Sequence, residues 1–264
     1  MTGNGVVTLI SEGALLDAQA DELPDIISSG SVNLTASNIG SNNSLELSNV
    51  STLTINTEGS FALVNDISLT NLSLLLAPEK VTEASYQLQS PDLTFDVQDS
   101  SNNLIINDLS ITSGGLNLLV QLQNANILIG QINVGTGSVD LQTLGRINEL
   151  TNDGTDNITA SGSVSLTAVT GVGDTSTLDL SSVNQLTVAS QGSIGLSSDA
   201  TIDQLNLNLE GAVDGSVYSI VDNDTGTSFL NYNATTTADA VVLTNVESTS
   251  GTLDFSLSTD KNIR

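Results

Sequence analysis

The feature that most constrains this chain is that it repeats itself. Gly5, Val7, Leu9, Gly13 and Leu15 align without a gap on Gly137, Val139, Leu141, Gly145 and Ile147, at an offset of 132 residues. The string GSVNLTA at 30–36 then meets GSVSLTA at 162–168. One residue is gained near Gly171, and at an offset of 133 Leu45, Leu47, Val50, Leu53, Ile55 and Gly59 meet Leu178, Leu180, Val183, Leu186, Val188 and Gly192. The copies diverge past Ala77 and past Gly211, although ITSGGLNL (111–118) and STSGTLDF (248–255) are still related. Self-similarity of this kind is the signature of repeat architectures. It divides the chain into two tandem modules, 1–136 and 137–264.

Within each module the apolar residues come in short period-2 runs: Val32/Leu34, Leu45/Leu47, Leu53/Ile55 and Phe61/Leu63, and in the second copy Val164/Leu166, Leu178/Leu180, Leu186/Val188 and Ile194/Leu196. Each run predicts a strand of a few residues. Gly, Ser, Asn, Asp and Thr between them supply turns. Leu15–Leu23 is the best helical segment, and because it aligns with the turn-rich 148–156 it reads as a loop with at most one helical turn. Pro78–Glu83 reads as a protruding loop.

Strands about 8 to 13 residues apart suit a β-sandwich as well as a solenoid. Composition separates the two. Aromatic residues make up 3% of the chain and Trp is absent, while Leu and Val recur at equivalent points. Stacked coils demand this, because each inward side chain rests on its counterpart in the next coil. The expected fold is therefore an all-β parallel β-solenoid of tandem modules in one continuous stack. At roughly 20 to 25 residues per coil and about 4.8 Å per coil, it would form on the order of eleven coils and a rod about 50 Å long.

The pattern I-x-x-S-G-S-V-x-L-T-A, followed by a Gly-containing turn (Ile39-Gly40-Ser41; Val172-Gly173-Asp174) and L-x-L-x-x-V-x-x-L-T-[IV]-x-x-x-G-S, resembles the filamentous-haemagglutinin-like repeats of large bacterial adhesins and exoproteins. The resemblance covers about 70 residues in each half. It implies a right-handed parallel β-helix, secreted and displayed at the cell surface, acting in attachment, biofilm or cell–cell contact. The secretion domain that opens two-partner-secreted members is not seen, so the resemblance implies an internal segment. Its partners would be a glycan or protein of another cell and neighbouring modules of the same parent chain.

Charge and residue types narrow the functions. Four Lys and Arg stand against 30 Asp and Glu, a net charge of −26. Phosphate recognition needs clustered cations, so neither nucleic acid nor an anionic lipid surface is an expected partner. No apolar run of about 18 residues predicts membrane insertion, and no signal peptide is read at Met1–Asn4. The absence of His and Cys excludes Ser-His-Asp and Cys-His catalysis and imidazole or thiolate metal sites. The cations Lys80, Arg146, Lys261 and Arg264 read as surface residues, and the chain is expected not to be an enzyme.

Calcium is the one cofactor with a candidate site. Asp222 and Asp224, in Asp222-Asn223-Asp224-Thr225-Gly226, alternate oxygen ligands beside a glycine, with Asn152–Asn157 as a lesser case. Neither continues to the bidentate Glu of an EF-hand. Two rival readings remain at this level: a calcium-rigidified β-sandwich adhesin module, and a polysaccharide-binding or polysaccharide-degrading β-helix of the tailspike kind. Thr52/Thr54 and Thr235–Thr237 hint at the threonine arrays of ice-binding solenoids, without recurring at coil spacing in the sequence.

Overall fold

A computed structural model describes residues 2–3, 5–19, 21, 23–41, 43–77, 84–100, 102–222, 230–248 and 253–264. The described residues form strands, bridges and turns, with no helix. The loop at Pro78–Glu83 lies outside them.

One parallel sheet of ten strands runs the length of the molecule, one strand per coil. Coils 1 to 5 contribute Val7–Ile10, Ser31–Ala36, Thr52–Thr57, Asn71–Leu76 and Asn117–Leu122. Coils 6 to 10 contribute Val139–Thr143, Ser163–Ala168, Gln185–Ser190, Gln204–Asn208 and Asp254–Ser258. The fold is a β-solenoid, and the sandwich is set aside. Nine steps of about 4.8 Å separate its first and last strands, a rod of about 45 Å.

The period-2 pattern produces this stack because alternate side chains of a strand point to opposite faces. Val7, Val32, Leu53, Leu72, Leu118, Val139, Val164, Leu186, Leu205 and Phe255 lie one above another in register. Two residues on, Leu9, Leu34, Ile55, Leu74, Val120, Leu141, Leu166, Val188, Leu207 and Leu257 do the same. These columns make up much of the core. A small aliphatic residue placed on its own copy fills a thin interior without voids, which is why so few aromatics suffice.

The paired residues give the length of each coil. Successive steps are 25 (Val7 to Val32), 21 (Val32 to Leu53), 19 (Leu53 to Leu72), 46 (Leu72 to Leu118) and 21 (Leu118 to Val139). From Val139 the order begins again: 25 (to Val164), 22 (to Leu186), 19 (to Leu205) and 50 (to Phe255). The duplicated unit thus repeats a succession of four coil lengths, nearly unchanged: 25, 21 or 22, 19 and a long coil of 46 or 50. The extra residue near Gly171 is the difference between 21 and 22. Strand Asn117–Leu122 pairs with Val139–Thr143 across position 136, so the two copies share one sheet.

The long coils explain where the copies diverge. In the first, Leu93–Ser100 pairs antiparallel with Asn103–Ile111; in the second, Leu230–Thr236 pairs antiparallel with both Val217–Asp222 and Ala240–Ser248. These additions fall in the same coil of each module but are built differently. All six aromatics within the described residues belong to these coils or to strands flanking them. Phe61 stacks on Tyr86 at 5.2 Å and meets Phe95 at 5.9 Å, and Tyr232 meets Phe255 at 5.6 Å. The large rings are thus gathered at the coils that carry the antiparallel additions.

The remaining strands close each coil on its other side. Five of them, Thr2–Gly3, Ile26–Ser28, Leu45–Ser48, Phe61–Asn65 and Tyr86–Gln89, form a parallel sheet in the first module, and a twelve-stranded sheet continues beyond it. Corners repeat atom for atom. Asn49 and Ser182 both adopt positive φ (63° and 62°), and each N–H donates to a carboxylate of the following coil, Asp66 at 2.7 Å and Asp199 at 3.1 Å. Gly40 and Gly173 both sit at φ 60°, where a Cβ would lie 2.2 and 2.0 Å from the carbonyl oxygens of Ala62 and Gly195. Only glycine permits both the backbone and the approach.

Two measurements check this account. Leu141, fully buried in mid-stack, should lose about 2–5 kcal/mol on Leu141→Ala, whereas Leu9→Ala in the half-exposed first coil should cost less than half as much in the same denaturant titration. Burial pushes the Tyr232 hydroxyl up to about 12 from 10.0. Its neutral form is the one the fold accepts, so this contribution to stability is intact below pH 10 and lost as pH rises towards 12. Melting temperature should fall across that window in step with tyrosinate absorbance, and Tyr232→Phe should flatten the fall.

Candidate functional site

Two surface features carry chemistry: an uncharged sheet face and an acidic corner. The outward positions of the ten-stranded sheet form columns as regular as the inward ones. Thr8, Asn33, Thr54, Ser73, Leu119, Asp140, Ser165, Thr187, Asn206 and Ser256 stand in one such column. Across all outward positions of the ten strands, Asp140 and Asp254 are the sole charged residues. The rest are mainly Thr, Ser, Asn and Gln. In a chain of net charge −26 this is a neutral face, and the acidity lies in the turns and on strands of the other sheets, such as those of Glu46, Asp96, Asp108 and Asp179.

At its edge this face is tied together along the rod. The Asn71 amide donates to Thr52 Oγ1 (3.1 Å) and the Asn117 amide to Asn71 Oδ1 (3.0 Å). Asn117 Oδ1 accepts from the Ser138 N–H (3.1 Å), and Ser138 Oγ accepts from the Ser163 N–H (3.1 Å). The ladder crosses from one module into the other. Beside it lies a shallow groove of about 300 Å³ lined by Asn71, Ser73, Asn117, Ser138, Asp140 and Ser165 among others. Amides and hydroxyls held in a plane can exchange hydrogen bonds with a neutral hydroxylated ligand, and they offer an anion little attraction.

The acidic corner is formed by Asp17, Asp25 and Glu46, whose oxygens lie within 4.8 Å of one another. Asp25 is brought beside Glu46 because Ile26 pairs with Leu47 in the next coil. Asp25 Oδ2 accepts the Glu46 N–H at 3.1 Å. Asp17 Oδ1 accepts the Gln19 N–H at 2.8 Å, while its Oδ2 is buried without a hydrogen-bond partner. Burial raises the Glu46 carboxyl above its ordinary value, with the Asp25 and Asp17 carboxylates adding to the rise. Three hard oxygen ligands in one corner are a donor set that a cation such as calcium could use.

The second module repeats the corner with all three residues changed, one of them with loss of charge. Glu149, Asn157 and Asp179 occupy the three places. Asn157 Oδ1 accepts the Asp179 N–H at 2.9 Å, as Asp25 does for Glu46, and its amide donates to the carbonyls of Ile129 and Gly130. Glu149 likewise uses one oxygen on the loop, accepting the Asp153 N–H at 3.3 Å, and buries the other without a partner. Replacing a carboxylate by an amide keeps the backbone bond and lowers the charge. Burial raises Asp179, with Asp156 and Asp153 contributing.

Of the residues singled out in sequence, Asp222 ends strand Val217–Asp222, and Asn223 to Gly226, with Asp224, lies outside the described residues. In Asn152–Asn157 the Asp153 carboxylate is occupied by its own turn, accepting from the Thr151 hydroxyl and from the Thr155 N–H and hydroxyl. Arg146 pairs with Asp174 at 3.3 Å, and Lys261 Nζ donates to the Thr237 carbonyl at 3.1 Å. Arg146 and Asp174 stand where the first copy has Ala14 and Ser41, so neither partner of the ion pair is present there. The Asp17–Asp25–Glu46 corner was missed because its members are 8 and 21 residues apart. The one available signal was that two of the three carboxylates, Asp17 and Glu46, meet carboxylates at the matching points of the other copy, Glu149 and Asp179.

A cleft of about 690 Å³ opens between Ser85–Gln87 and Phe95–Ser100 and contains Asp96 and Asp99. Asp96 accepts from the Gln98 side chain and Asp99 from the Ala84 N–H, both at 3.2 Å.

No protein-family model, curated protein or solved structure matches the chain.

Like-charge crowding at the corner makes a sharp prediction. The Glu46 carboxyl is raised from 4.5, so its ionised form weakens the fold at neutral pH and the penalty disappears once the pH falls below that value. Glu46→Gln should raise the melting temperature by a few degrees at pH 7 and leave it unchanged below about pH 4. A lower melting temperature at pH 7 would show that the carboxylate is instead needed there.

Proposed function

We propose that this chain is a rod-forming structural and adhesive segment of a large extracellular bacterial surface protein, which spans distance and binds without catalysing a reaction. The observation that carries the reading is the neutral outward face of the ten-strand stack, flat, regular and continuous across both modules. A rod of stacked coils supplies reach. A plane of amides and hydroxyls supplies many weak, repeated contacts to an extended neutral partner, of which an uncharged surface polysaccharide is the best match in chemistry. The resemblance of the repeat to filamentous-haemagglutinin-like modules supports the placement outside the cell.

The basic side chains support the non-catalytic part. A β-helix that cleaves acidic polysaccharides by elimination needs a free base and a cation to neutralise the uronate, and two of the three cations among the described residues, Arg146 and Lys261, are engaged in structural contacts. The carboxylates of the 690 Å³ cleft each hold a neighbouring donor.

The test is retention of the purified chain on an array of neutral and anionic polysaccharides, with and without millimolar calcium, read together with release of reducing ends. The expected outcome is retention on neutral polymers with no release. Ser73→Asp, which adds a carboxylate to the groove between the uncharged Thr54 and Leu119, should lower retention several-fold with little change in the melting curve. Release of reducing ends would overturn the non-catalytic reading, and preference for anionic polymers would overturn the role of the neutral face.

A further inference from the structure

The two ends of the rod are halves of a junction that the molecule already contains. At the centre, coil 6 is covered by coil 5: Leu118 pairs with Val139, Val120 with Leu141, and the Leu118 N–H donates to the Ser138 carbonyl at 2.8 Å. Coil 1 is the repeat counterpart of coil 6, with Val7, Leu9 and Leu15 in the places of Val139, Leu141 and Ile147. Coil 10 is the counterpart of coil 5, with Phe255 and Leu257 in the places of Leu118 and Val120. Each end therefore presents the surface that its counterpart buries. Leu118, Val120 and Leu141 are at most 2% exposed, whereas Leu9, Phe255 and Leu257 are only partly buried.

The backbone matches as well. Within a strand, N–H and C=O groups point alternately to the two neighbours. Ser11 donates to the Thr35 carbonyl (2.9 Å), so Val7 and Leu9 face coil 2, and Thr8 and Ile10 face away from it. At the other end Asp254 donates to Asp203 (2.8 Å) and Ser258 accepts from Leu209 (2.7 Å). Phe255 and Leu257 therefore face outward from coil 10. The free groups fall in the register that the central junction uses, since Phe255 corresponds to Leu118 and Val6 to Ser138. Strand Thr2–Gly3 already pairs with Ile27 and Ser28 in the other sheet, where Val134 and Gly135 lie at the junction, so it does not compete with an incoming coil 10.

We propose that the chain associates head to tail with a second copy of itself, coil 10 of one copy seating on coil 1 of the next, with Phe255 over Val7 and Leu257 over Leu9. Such a contact is heterologous and does not close on itself, so it continues into filaments. It does not depend on what the outward face binds. Net charge opposes it, and screening relieves that opposition; association should strengthen with added salt, the reverse of an interface held by ion pairs.

Sedimentation velocity of the full chain over a range of concentration and salt tests the association, and crosslinking tests its geometry. Because the chain has no Cys, Thr8→Cys and Ser256→Cys chains can each carry a single thiol, and these positions correspond to the paired Asp140 and Leu119 of the central junction. A short bismaleimide should crosslink a mixture of the two chains and neither chain alone. Thr8→Pro removes an outward N–H and keeps the backbone bonds to coil 2, losing there only the long, exposed contact from the Asn33 amide to the Thr8 hydroxyl (3.4 Å), and should abolish the faster-sedimenting species with little change in the melting curve. A monomer at every concentration and salt, same-variant crosslinks in place of mixed ones, or full association of a folded Thr8→Pro chain would each overturn the proposal.

Discussion

The hydrogen bonds that run parallel to the rod, from each coil to the next, are the constraint on which everything else depends. They oblige every coil to present its backbone in the register of its predecessor, and with the backbone come the side chains: inward above inward, outward above outward. A one-residue slip would turn Val32 and Leu34 into solvent and bring Asn33 into the core. The succession of coil lengths, 25, 21 or 22, 19 and then a long coil, is read off this register in both modules. Residues can be added only where the chain leaves the stack. The antiparallel additions of the two long coils are such excursions.

The same constraint sorts the charge. A column of like carboxylates spaced at about 4.8 Å would repel along the whole rod. The long sheet avoids this by carrying Thr, Ser, Asn and Gln outward, with Asp140 and Asp254 as isolated exceptions. Acids gather where a coil turns. There each can accept a backbone N–H from a neighbouring coil, as Asp66 does for Asn49 and Asp199 for Ser182. The Ser48 hydroxyl and the Asn49 N–H hold the Asp66 carboxyl below its ordinary value, which marks the ionised form as part of the corner. At Asp17, Asp25 and Glu46 three such acids meet and the benefit reverses, with Glu46 raised instead of lowered. The second module eases the crowding with Asn157, an amide that accepts the same backbone bond without charge.

These features bear on function together. On the proposed reading, an uncharged plane bounded by acidic corners would disfavour polyanions at its margins and leave its centre open to neutral hydroxylated partners. The rod that carries it contains its own pattern for extension. Coil 5 on coil 6 shows how an end resembling coil 10 fits a beginning resembling coil 1.

The sequence by itself determined the duplication, the strand runs and the solenoid, because period-2 alternation and self-similarity are local properties of the chain. Every paired run named from it, from Val32/Leu34 to Ile194/Leu196, lies within a strand. Leu15–Leu23 carries no helical turn among its described residues; Leu15 is held instead by a bridge to Ile39. Only the tertiary structure decided what stands beside what. The divergent stretches became antiparallel additions, with rings such as Phe61, Tyr86 and Phe95 gathered from distant positions. Asp17, Asp25 and Glu46 became a corner, and scattered hydroxyls and amides became a neutral face. The physical reason is that coil length varies from 19 to 50 residues, so neighbours along the rod have no fixed separation in sequence and only the hydrogen-bonded register brings them together.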